Sequence, residues 1–249
     1  AIAVPLIIIG IRGGVTRTIR PITLSNAGDY VDKAIHTSAV LNTPFSLIRT
    51  AGKRQYTIQK FYPSYEAMES IYTPLHIPAL EERDSTSMFP VTNEKKNVVI
   101  LILESFGAEN IQFLNRSLPT NFTPFLDSLR KDGILCTNAF ANGRKSIDAV
   151  PSIMASIPSL MESFAVTPYA NDAFRGLPRI LDSLGYYTAF FHGAPNNSMG
   201  LRAVTNLCGV KNYFGKDEYG NNSDFDGSWG IWDHKFLPFV AKTISTFKE

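Results

Sequence analysis

The sequence predicts an α/β domain built on a mostly parallel sheet, and three observations carry that prediction. One is a buried-strand run, Lys95 to Ser105 (KKNVVILILES), aliphatic and β-branched between polar ends, as expected for a central strand covered on both faces. Another is the helix signal that follows it: Thr123-Pro124 before FLDSLRKDG, with Thr123 as the cap, Pro at the first position and Gly133 as the stop. The last is a second apolar run, Tyr186 to Phe191 (YYTAFF), directly after a helical stretch from Leu177 to Leu184 that ends at Gly185. Strands alternating with helices place the chain in the layered α/β class.

Between these landmarks, residues 134–141 (ILCTNAFA) read as another strand and Ala149 to Ser156 as another helix. Upstream the signals weaken. The apolar run Ala1 to Ile11 fits either a buried strand or the last turns of a transmembrane helix; it is short of the about 20 residues that span a bilayer. Arg12, Arg17 and Arg20 follow it and would by themselves favour a cytoplasmic end. Residues 12–94 read as a connector, with short amphipathic helices ending near Pro44, and then as a wrapping linker rich in Tyr, Pro, Ser and Glu. The catalytic-type domain is expected over residues 95–249.

Composition narrows the function classes. With 249 residues, 44% hydrophobic and 18% charged, core size is not limiting. A net charge of +2 is too mild for a nucleic-acid surface, so no nucleic-acid partner is expected. Cys136 and Cys208 are far apart and in no metal or redox spacing, and read as small apolar residues. No GxGxxG or GxxxxGK[ST] string follows the first strand, which removes the common nucleotide-binding folds.

Candidate chemistry gathers where α/β sheets keep it, beyond the carboxyl ends of strands. Glu104 ends the first strand, and a carboxylate there suits a hard cation or, equally, a loop or cap role. Asn142 to Ser152 (NGRKSIDAVPS) sets a glycine, two cations and Ser146 before a helix, an outline that fits a phosphoryl group. Ser146 needs a base or a metal to become a nucleophile; otherwise Ser146 or Asp148 caps the helix. His192 follows YYTAFF and precedes Gly193 to Asn196. In Asp224 to His234 (DFDGSWGIWDH), Trp229 and Trp232 could stack on a sugar or glycerol headgroup or simply close the domain.

Four ordered motifs, NVVILILESFGAENI, FANGRKSIDAVPSIMASIPSL, FFHGAPNNSMG and DFDGSWGIWDHKFL, together resemble the lipoteichoic acid synthase-like, sulfatase-like branch of the alkaline phosphatase superfamily. IRGGVTRTIRPI and VLNTPFSLI resemble the juxtamembrane connector of these membrane-anchored enzymes. The resemblance implies an alkaline phosphatase-like layered sandwich and a divalent metal, Mn, Mg or Zn. It implies Glu104 as a metal ligand, Ser146 as metal-bound nucleophile, and His192 as a substrate-headgroup residue, with Arg202 a candidate for the headgroup arginine and Trp229 and Trp232 lining the substrate site. It implies a phospholipid or other phosphoryl donor, a glycan or lipid headgroup acceptor, and a catalytic domain on the extracytoplasmic, periplasmic side of the cytoplasmic membrane, tethered by upstream helices. In the family an Asp-His metal pair comes from a later segment, so the expectation is a C-terminally truncated domain; Asp233-His234 sits in the WGIWD motif and is not assigned to that role. The formylglycine string of sulfatases, Cys or Ser then x-Pro-x-Arg, is absent: Ser156-Ile157-Pro158-Ser159-Leu160 ends in leucine.

Overall fold

The computed structural model describes residues 2–12, 24–31, 33–52, 60–71, 95–159, 162–172 and 174–247. They fall into two units, residues 54–132 and the remainder. In chain order the helices are α1 (Ala3–Arg12), α2 (Thr37–Val40), α3 (Thr43–Thr50), α4 (Tyr65–Glu69), α5 (Pro124–Leu129), α6 (Ser146–Ala155), α7 (Leu177–Ser183), α8 (Leu201–Cys208), α9 (Lys216–Tyr219) and α10 (Asp233–Ile244). Two strands, β1 (Ala189–Phe191) and β2 (Asn212–Phe214), pair in parallel with Ala189 opposite Asn212 and Phe191 opposite Phe214.

The core of the larger unit forms around α8. Its eight residues put Leu201, Ala203, Val204, Thr205, Leu207 and Cys208 inside, because an apolar stripe at helical spacing must find a partner surface. Val204 and Cys208 meet Ile147 of α6 together with Ala165 and Ala170. The single turn Leu24–Asp29 lies against the same helix, where a side chain at Gly28 would meet Ala203 Cβ at 3.0 Å. Gly28 therefore permits a close backbone approach. Thr188 ties β1 to β2 from beneath: its backbone carbonyl accepts from Asn212 N and its hydroxyl accepts from Lys211 N.

Several expectations need correction. Residues 95–103 and 134–141 form no strand; neither segment has a laddered neighbour among the described residues, and Val98, Leu101 and Phe140 are exposed. Apolar β-branched composition favours a pleated, half-buried surface, but a strand exists only through its pairing partner. Of YYTAFF only Ala189–Phe191 is strand. Pro44 begins a helix instead of ending one: Asn42 caps α3 by accepting from Phe45 N at 2.8 Å, and proline fits the first turn, where no N–H is needed. Cys136 is exposed and Cys208 buried, and both are free thiols. The N-terminal run is helical, and among the described residues no helix is long and apolar enough to cross a membrane.

Candidate active site

Ser146 is the first residue of α6. The residue before it, Lys145, is extended and makes no side-chain cap. Neither Ser146 nor Asp148 takes the capping role, so the half-buried Ser146 hydroxyl is left for other work. It meets the sulfur of Met199 at 3.9 Å. Gly143, Arg144, Lys145 and Asp148 line a hollow of about 490 Å³ together with Ser159, Glu162, Ser163 and Val166; Ser146 lies next to this lining in sequence but is not part of it. Asp148 is buried, and its Oδ1 has no hydrogen-bond partner among the described residues. A buried polar atom left unpaired costs stability.

The glycine in this turn is required by space and by conformation. Gly143 has φ +99°, and a Cβ there would lie 2.6 Å from Asp148 Cβ and 2.9 Å from Ser159 Cβ. Asn142 holds the opposite wall by accepting from Ser159 N at 3.0 Å. The hollow beside the N-terminus of α6 therefore carries two cations, Arg144 and Lys145, and two acids, Asp148 and Glu162.

His192 begins the loop that leads to Met199. Its backbone N donates to Phe214 O at 3.0 Å, and its ring Nδ1 lies 3.3 Å from the Tyr213 hydroxyl. Burial pushes the His192 imidazole below its ordinary pKa, which keeps it neutral. Burial also pushes the Tyr213 phenol well up, helped by the charges of Asp29, Glu218 and Asp217, while Arg202 opposes the rise.

The tryptophan loop joins the same surface. Ile231 N donates to Gly193 O at 2.9 Å, and Phe225 and Ile231 form an antiparallel bridge. Asp226 Oδ1 accepts from the backbone N–H groups of Ser228, Trp229 and Gly230 at 2.8, 2.7 and 3.1 Å. Those bonds, the one from Ser228 first, hold the Asp226 carboxyl below the usual carboxylate range. Trp229 and Trp232 are both exposed, so their indole faces are open. Asp233 and His234 start α10.

Ser146, His192, Arg202, Trp229 and Trp232 therefore belong to one unit, linked through the loop from His192 to Gly200. Glu104 lies in the other unit, in a turn whose next residue, Ser105, has φ +55°. Among the described residues no group of three or more His, Cys, Asp and Glu side chains could hold a metal. Sequence reasoning missed Met199 and Tyr213. Tyr213 had a faint signal, the aromatic pair in Asn212–Phe214; Met199, at φ 56°, had none, because its contact with Ser146 is purely tertiary.

Comparison with known proteins places this geometry in context. The family model described as Sulfatase matches residues 96–248. A protein in the alkaline phosphatase superfamily from Vibrio parahaemolyticus is similar in structure, with a TM-score of 0.50 and 24% identity over 56% of this chain and 34% of that one. The lipoteichoic acid synthase LtaP from Listeria monocytogenes gives a TM-score of 0.44 and 20% identity over 50% of this chain and 32% of that one. The chain spans about a third of the length of either structure. The first likeness shows the fold alone, α/β.

Proposed function

Because this chain belongs to the sulfatase family, we propose that it supplies the nucleophile, Ser146, of a metal-dependent phosphotransferase or phosphohydrolase. Family membership supports a hydrolase- or phosphotransferase-type function, and the absence of a Cys/Ser-x-Pro-x-Arg string favours phosphoryl over sulfuryl chemistry. The observation that carries the finer reading is the Ser146 turn itself: an uncapped serine at a helix start, two cations beside it, and an orphaned buried oxygen two residues on.

Glu104 offers a carboxylate and Ser146 a hydroxyl, oxygen ligands of the type that Mn, Mg or Zn takes, and the unpaired Oδ1 of Asp148 is a further oxygen near Ser146 in the chain. Such an ion lowers the pKa of a bound hydroxyl and stabilises charge on phosphoryl oxygens. In this reading Ser146 is a metal ligand, Glu104 is the further ligand that the resemblance implies, and the family's Asp-His pair supplies the rest. Ser146 attacks the phosphorus, the ester oxygen of the donor leaves, and the group passes to an acceptor hydroxyl or to water.

His192 and Arg202 would face the headgroup oxygens, and the exposed indoles of Trp229 and Trp232 would cover its carbon skeleton. The substrates that fit are phosphoglycerol- or phosphoethanolamine-bearing lipids, with a glycan or lipid headgroup as acceptor. In this reading the domain works on the periplasmic face of the cytoplasmic membrane.

The test is turnover of phosphatidylglycerol and phosphatidylethanolamine vesicles, with manganese, by the whole protein and its Ser146→Ala variant. Loss of turnover with an unchanged unfolding midpoint is expected. Unchanged turnover would remove Ser146 from the chemistry.

A further inference from the structure

The parallel register of β1 and β2 sets Tyr213 opposite Phe190. Side chains two apart along a strand share a face, so His192, just past β1, lies on the face of Phe190. Phe190 stacks on Tyr213 with ring centroids 5.6 Å apart, and the Phe190 and His192 rings are 6.5 Å apart. The phenol thereby reaches across the strand pair to Nδ1 of the imidazole, 3.3 Å away. That distance is long for a hydrogen bond.

We propose that Tyr213 is a positioning residue: its O–H donates to Nδ1 of His192 and fixes the imidazole as the Nε2–H tautomer, so that His192 meets its ligand as a neutral hydrogen-bond donor. The donor role rests on the headgroup reading of His192 given above; the tautomer does not.

The direction of the bond follows from what each partner has left. Tyr213 keeps its proton, since burial and the nearby carboxylates both oppose ionisation. Among the described residues its hydroxyl makes no bond other than that to His192. If Nδ1 carried the ring proton and donated it to the phenol oxygen, the phenol O–H would be left without an acceptor in a part-buried site. An unmet donor there costs more than an unmet lone pair on an oxygen that already donates. The opposite direction satisfies the phenol proton and places the ring proton on Nε2, as in sites where the partner of one ring nitrogen decides the state of the other. A neutral donor suits an anionic headgroup oxygen and leaves His192 unable to serve as a base through Nδ1.

The decisive measurement is long-range proton–nitrogen correlation spectroscopy on the 249-residue chain labelled with ¹⁵N-histidine, at about pH 8, above the ordinary imidazole range. His192, one of four histidines, is identified by its loss in His192→Gln. We expect an unprotonated Nδ1 and a protonated Nε2 in the parent chain. In Tyr213→Phe, which keeps the stack on Phe190, we expect a tautomer mixture with an unchanged melting temperature. A protonated Nδ1 in the parent chain, or the same tautomer in Tyr213→Phe, overturns the proposal.

In the whole protein, Tyr213→Phe should raise KM for the lipid donor by roughly 3- to 10-fold, the range of one neutral hydrogen bond, with a smaller effect on kcat. A shifted tautomer with an unmoved KM overturns the donor role. If instead Ser146→Ala leaves turnover intact, the phosphoryl-transfer reading fails while the tautomer stands as the spectrum shows it.

Discussion

Substituting Gly143 with alanine tests whether the turn before Ser146 is set by packing or only by backbone freedom. Two costs arise. At φ +99° an L-residue is strained, by about 1–2 kcal/mol. The added Cβ would also lie 2.6 Å from Asp148 Cβ, 2.9 Å from Asp148 Oδ2 and 2.9 Å from Ser159 Cβ, separations at which the neighbours must move. Neither is the free end of a long side chain: Asp148 is buried in the first turn of α6, and Ser159 is held through its own N–H by Asn142. Overpacking of that kind costs about 1–3 kcal/mol, so Gly143→Ala should lose about 2–5 kcal/mol in all. Gly220 supplies the control, since it has φ +78° and an added methyl there would have nothing within 4 Å; Gly220→Ala should show the backbone cost alone. Urea unfolding of the parent and both variants, compared at equal slope, isolates the packing part. If Gly143→Ala costs no more than Gly220→Ala, the close packing of Gly143 over Asp148 is not real in solution and the shape assigned to the hollow falls with it.

Two further outcomes follow from the same surface. Asp148→Asn removes a buried charge whose Oδ1 is unpaired, so the unfolding midpoint should rise, by a free energy of about 1–3 kcal/mol, while Ser146-dependent turnover falls; a lower midpoint would mean the carboxylate has a structural partner. Stability should also decline as pH drops from about 6.5 toward the lower folded-state pKa of His192, whose ordinary value is 6.5, because the unfolded chain binds the imidazole proton more readily there. In His192→Gln that part of the pH dependence should vanish, as read from thermal midpoints across the range; an identical profile in the variant would assign the loss elsewhere.

What can be read in the sequence is what local chemistry encodes. α5, α6 and α7 are visible because proline, glycine and apolar spacing mark helices to within a few residues, although Thr123 makes no side-chain cap, α5 ends at Leu129 short of Gly133, and α6 starts at Ser146 ahead of Ala149. Pro44 misleads for the same reason: proline marks a helix boundary without saying which side is helical, and only the Asn42 cap decides it. Val98 to Leu103 carries the strongest strand signal in the chain and yet forms no ladder, since pairing is a property of two segments. Ser146, His192 and the two tryptophans stand out as motif residues near element ends. Tyr213 and Met199 do not, because an aromatic in a strand and a methionine in a loop acquire their roles from the register of β1 against β2 and from the fold of the His192 loop.

That loop is the mechanical joint of the site. It begins with His192 N on Phe214 O, then uses Gly193 O to hold Ile231 of the tryptophan loop and Ala194 O to hold Lys216 at the start of α9. Buried Asn196 adds two bonds to the Glu218 carboxylate at 3.0 and 2.8 Å, and Glu218 in turn accepts from Gly215 N at 2.6 Å. Only after these anchors does the chain reach Met199, whose left-handed backbone brings its sulfur to the Ser146 hydroxyl. A non-glycine residue in that conformation carries about 1–3 kcal/mol of strain and persists only where its surroundings over-determine it. The anchors provide that over-determination, so the position of Met199 over Ser146 is fixed by the same bonds that fix Trp229 and Trp232. Gly193 is common to both, since it lies in the loop that leads to Met199 and its carbonyl accepts from Ile231 N, so a perturbation at Gly193 should be felt both at Met199 and in the tryptophan loop.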